Sequence, residues 1–135
     1  MSDRLLTDAQ REELIGAIRA ACGDELRSIT YFTQDAVDQV YLRQDLERSA
    51  DLVGFADNER LGFRTQLAYA KTDLGDYQFT IRVFDHGYLT RVIVGDHGVW
   101  VTTDEMEIGR FEELGAAMAG VLADVVGPGA NGGED

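Results

Sequence analysis

Two Asp-His-Gly tripeptides, Asp85-His86-Gly87 and Asp96-His97-Gly98, contain both histidines of the chain. An imidazole beside a carboxylate can ligate zinc or relay a proton near neutral pH. Spacing argues against a shared site. The tripeptides flank one short strand, Tyr88 to Val94, and at about 3.3 Å per residue their tips lie on the order of 20 Å apart, at opposite ends of a sheet. They read instead as hairpin turns, where Asp and Gly are ordinary residues. The sequence has no Gly-x-Ser-x-Gly elbow, phosphate loop or dinucleotide fingerprint, so it gives no support to a histidine-based hydrolase or to nucleotide chemistry. The expectation is a chain with no catalytic residues, no metal site and no cofactor.

Other chemistry-bearing residues give weaker signals. The neighbouring acids Glu12-Glu13 and Glu112-Glu113 diverge on a helix and read as a solvated face rather than a cation site. Cys22 is the sole cysteine, so an internal disulfide is excluded. With no Lys, Arg or His beside it, it reads as a buried, inert thiol. Tyr41 and Arg43, with Arg64 and Arg82, are candidates to line a cleft for an anionic ligand or a partner's carboxylate. Neighbouring Asp and Glu compete for the same guanidinium groups. Trp100 alternates with Val99 and Val101 and faces away from them. It is a candidate interface anchor if it reaches solvent, and a core residue otherwise.

The elements that position these residues follow from periodicity. Thr7 with Gln10 forms a capping box, and Leu14, Ile15, Ile18 and Ala21 recur at helical spacing until Gly23. The β-branched and aromatic run Leu26 to Thr33, the turn Gln34-Asp35-Ala36 and the run Gln39 to Arg43 predict a hairpin. Asp45 caps a predicted helix bearing Leu46, Ala50 and Val53, and a second helical piece runs from Glu59 to Lys71. Three strands follow, Tyr77 to Phe84, Tyr88 to Val94 and Val99 to Thr103, joined by short glycine-containing turns. Asp104 and Glu107 then signal a helix that extends to about Val125. The order is α-β-β-α-β-β-β-α, an α+β fold with a five-stranded antiparallel sheet. The second strand of the meander is apolar on both sides, which calls for helices on both faces. Residues 1–126 are expected to form one domain, with 127–135 a disordered, glycine-rich acidic tail.

Composition bounds the setting. The 135 residues carry 25 Asp plus Glu, eleven arginines and a single lysine, Lys71, for a net charge of −13. At molar salt the Debye length is about 3 Å, which screens the self-repulsion of so acidic a surface. Arginine adds bidentate carboxylate pairing that lysine lacks. In this the chain resembles proteins of salt-in halophilic archaea. Scattered arginines among twice as many acids do not make a phosphate-binding face, so bare nucleic acid is not an expected partner. No apolar run of membrane-spanning length and no secretory pattern occurs, and the expected location is the cytoplasm, away from membranes.

The element order over residues 8 to 125 resembles the profilin-like group, above all roadblock (dynein light chain 7) domains. Gly98-Val99-Trp100-Val101-Thr102-Thr103-Asp104 is similar to the closing strand and helix entry of such domains. The resemblance implies a non-catalytic regulatory module that forms homodimers or binds small GTPases and other regulators. PAS-type sensors share the strand order and place short helices between strands two and three. They stand as the alternative, with a small ligand held between the sheet and the middle helices.

Overall fold

The computed structural model describes residues 5–46, 59–64 and 73–126. The first helix, α1, spans Asp8–Cys22 behind the complete capping box: the Gln10 amide donates to Thr7 Oγ1, and the Thr7 amide to Gln10 Oε1. Gly23 ends it at φ 64°, in the left-handed region that favours glycine. A short 3-10 turn, Gly23–Glu25, leads into β1 (Leu26–Thr33) and β2 (Val37–Leu42). Residues 59–64 are helical and are labelled α2. The meander β3 (Thr80–Phe84), β4 (Gly87–Val94) and β5 (His97–Thr103) is followed by α3 (Arg110–Val126). The helix expected from Asp45, the rest of the second piece towards Lys71, and the tail from Gly127 fall largely or wholly outside the described residues.

All pairings are antiparallel, in the order β2-β1-β5-β4-β3. The first and last strands of the meander are thus split between an edge and the centre: β5 pairs with both β1 and β4, while β3 is an edge. One sheet face carries Ile29, Tyr31, Val92, Val99 and Val101 against Leu14, Ile18, Phe111, Leu114, Met118 and Leu122 of α1 and α3. The other carries Phe32, Leu89, Ile93 and Trp100, with Phe63 of α2 packed on them. Helices therefore lie on both faces, as the apolar alternation of Leu89 and Ile93 against Val92 and Val94 requires. Phe32 meets Phe63 at 5.4 Å and Trp100 at 5.2 Å between ring centroids, so aromatic packing, not a ligand cavity, occupies that part of the interlayer space.

Several boundaries differ from the sequence-based expectation, each for a local reason. β3 begins at Thr80, not Tyr77. The Tyr77 hydroxyl instead donates to the Arg91 carbonyl, and Phe79 packs where Gly115 of α3 leaves no room for a Cβ. α3 begins at Arg110 rather than beside Asp104, because the Asp104 carboxylate is taken by Arg43 and Arg27 and cannot cap. Met106 turns into the core instead of starting the helix. The two Asp-His-Gly tripeptides also differ from each other. Asp85-His86 forms a two-residue turn, since Phe84 pairs with Gly87. In the second copy the turn is Gly95-Asp96, with Gly95 at φ 63°, and His97 is the first residue of β5.

Candidate functional site

β3 gives the sheet an apolar open edge. Its outer side has no strand partner among the described residues. Alternation sends Val83 to the α1/α3 face and Phe84 to the α2 face, and the side chains stay 69% and 54% exposed. Edge strands of soluble proteins are ordinarily guarded by charge. Here two apolar side chains end the strand.

One carboxylate beside this edge is turned inward, although Arg82 of β3 and Asp85 in the following turn remain partly or fully exposed. Glu59, at the start of the described part of α2, is 1% exposed and stands over the sheet. Its Oε1 accepts from Arg91 Nη1 at 2.9 Å, and its Oε2 from Arg82 Nε at 2.8 Å. Arg91 is itself buried in β4; it donates to Thr80 Oγ1 at 2.9 Å and lies 5.9 Å from the Tyr77 ring centroid. Gly62 packs directly on the Arg91 guanidinium, where any Cβ would collide. One carboxylate thus binds two arginines from adjacent strands and ties α2 to β3 and β4. The sequence reading singled out neither Glu59 as an ion-pair partner nor Arg91. The signal was an arginine inside the apolar run Tyr88 to Val94, because a charge on a covered strand requires a partner.

Tyr41 and Arg43 lie at the opposite edge of the sheet. They line a cleft of about 600 Å³ with Arg19, Asp24, Leu42 and Gln44. Arg19 sits 5.5 Å from the Tyr41 ring centroid and donates to its hydroxyl at 3.0 Å, a contact that raises the arginine's pKa. Arg43 donates to Asp45, to Asp104 and to the Asp24 carbonyl. These bonds use the five N–H donors of its guanidinium. They hold the Asp104 and Asp45 carboxyls below the ordinary carboxylate range and raise Arg43.

The five candidates do not share one cleft. Tyr41 and Arg43 meet at the β2 edge, Arg82 is committed to Glu59 at the β3 edge, and Arg64 is exposed on α2. Trp100 is fully buried under α2 and presents no surface. The separation has a simple cause: β2 and β3 are the two outer strands, with three others between them.

The histidines are separated as well. His86 lies in the β3–β4 turn, whereas His97 is buried and its Nδ1 shares a hydrogen bond of 3.1 Å with the Tyr31 hydroxyl. Burial lowers the His97 pKa and raises that of Tyr31. Cys22 is buried, and its thiol is pushed up to about 11, mainly by burial. Among the described residues no three His, Cys, Asp or Glu side chains converge to hold a metal ion. No described helix is long and apolar enough to cross a membrane.

Solved structures share this architecture at low identity. The gliding protein MglB from Thermus thermophilus matches with a TM-score of 0.60 and 14% identity over 88% of this chain and 95% of that one. A structure described as MglB with tetrameric arrangement matches at 0.59 and 14%, over 90% and 96%. A Roadblock/LC7 domain from Streptomyces avermitilis matches at 0.55 and 16%, over 89% and 94%. No curated protein matches the sequence significantly. A family profile described as domain of unknown function (DUF7522) matches residues 12–123. The chain therefore belongs to the DUF7522 family, and its fold is of the roadblock type.

Proposed function

We propose that this chain is a non-catalytic regulatory module that pairs with a second copy along β3 and offers the joined surface to a regulatory protein, a small GTPase being the class that the roadblock resemblance implies. The observation that carries the reading is the β3 edge, which has no strand partner among the described residues and exposes Val83 and Phe84 on its two faces. Burying a Val or Phe side chain contributes roughly 1.5–3 kcal/mol, and a twofold interface buries each residue in both copies. Self-association of a protein with this fold is on record in the MglB structure with tetrameric arrangement. The acid excess suits a cytoplasm at molar salt, where screening suppresses repulsion between two chains that each carry −13.

Light scattering in molar KCl tests the pairing. The expected mass is twice the 14.9 kDa of one chain, and the double change Val83→Lys with Phe84→Lys should return the mass of one chain without loss of helix or strand signal. A monomeric wild type, or a double variant that keeps the paired mass, refutes the interface. A tagged chain taken through native extract at the same salt should retain a small GTPase or another regulator at fixed stoichiometry.

A further inference from the structure

We propose that the cleft at the turn end of β3 and β4 binds a small amphipathic carboxylate, with Arg27 as its anion anchor. The cleft measures about 330 Å³, and its lining includes Arg27, Phe84, Asp85, His86, Leu89 and Thr102. That volume sits at the small end of ligand pockets, which pair apolar walls with a few placed polar groups. Phe84 and Leu89 supply the apolar wall.

Arg27 is under-used for a half-buried guanidinium. Its one side-chain bond runs from Nη1 to Asp104 Oδ1 at 3.5 Å. Asp104 already receives Arg43 Nη1 at 2.7 Å and Nη2 at 3.2 Å, so that carboxylate is neutralised without Arg27. The other N–H donors of Arg27 have no partner among the described residues. An incoming carboxylate would take this fork in two parallel hydrogen bonds, an arrangement suited to arginine and not to lysine. His86 in the adjoining turn is a second donor to the same anion, while Asp85 beside it disfavours a polyanion. One anchoring guanidinium over an apolar wall selects a monoanion with an aromatic or short aliphatic body.

The inference does not rest on pairing along β3. Phe84 borders both surfaces, so the test uses Arg27, which lies on β1. The probe is benzoate, titrated into the 15N-labelled full chain and followed by amide chemical shifts, with benzylammonium as the charge-reversed control. The expected result is saturable shifts at Gly87, Leu89 and Thr102 with benzoate and none there with benzylammonium. Arg27→Gln should weaken benzoate by about tenfold or more, the usual effect of losing a charge-assisted hydrogen bond. Arg27→Lys retains the charge and should fall between, which keeps the test decisive if Arg27→Gln disturbs the fold. No saturable shift, shifts centred elsewhere, equal binding of benzylammonium, or full affinity in either Arg27 variant overturns the proposal.

Discussion

The two faces of the sheet are built by different means. Under α1 and α3 the core is a continuous apolar cluster from Leu6 to Leu122, joined by buried Asp38, paired to Arg11 of α1, and by buried His97, bonded to Tyr31. Under α2 the buried apolar cluster is Phe32, Leu89, Ile93 and Trp100, and beside it lie the buried charges of Glu59 and Arg91. Apolar burial is non-directional and tolerates small shifts. A buried carboxylate between two guanidinium groups fixes geometry but stabilises only while every member is in place. The first face therefore sets whether the chain folds, and the second sets where α2 sits relative to β3 and β4.

Variants can break this contrast. Glu59→Gln removes the one anion shared by Arg91 and Arg82, and should cost about 3–5 kcal/mol in urea unfolding, the penalty of an uncompensated buried charge. A loss below about 1 kcal/mol would mean that the cluster is solvated, not buried. Leu114→Ala on the opposite face, at a fully buried site, should cost about 2–5 kcal/mol by transfer and cavity terms. Its loss should be independent of salt. Gly62→Ala places a methyl against the Arg91 guanidinium and the Ile93 Cδ1, and should cost about 1–3 kcal/mol through overpacking. Pairing it with Arg91→Met should recover part of that loss if the clash is the cause.

The smallest effect is titration of His97. Burial places its folded pKa below the ordinary 6.5. The native state thus favours the neutral ring, so the contribution is fully present above the unfolded value of about 6.5 and is lost as pH falls through the lower folded value. His97→Gln should flatten the stability profile below about pH 6.5 and leave it unchanged above. A profile with the same slope in the variant would assign the acid sensitivity to other groups.

Local signals were legible in the sequence where a single segment decides its own conformation. The Thr7/Gln10 box and Gly23 bound α1, and β-branched density marks β1 from Leu26 to Thr33 as observed. The signal failed where distant groups compete for one residue. Asp104 reads as a helix cap, but Arg43 lies 61 positions away in sequence and takes its carboxylate. Likewise the Glu59–Arg91 bond spans 32 positions, and no periodicity encodes which acid answers a buried arginine. Identical tripeptides at residues 85 and 96 adopt different registers, because Gly95 supplies the positive φ that a two-residue turn needs one position earlier. The candidate set Tyr41, Arg43, Arg64, Arg82 and Trp100 was chosen by residue type, and type does not say that β2 and β3 end up at opposite edges.

Amide hydrogen exchange of the wild type and Glu59→Gln, in molar KCl, tests the contrast between the faces most directly. Regions with few apolar contacts open at lower free energy than the core. The predicted result is that residues 59–64 lose protection in the variant while α1 and α3 retain theirs. Loss of protection spread evenly over α1, α2 and α3, or none at residues 59–64, would contradict the assignment of α2 placement to the buried ion cluster.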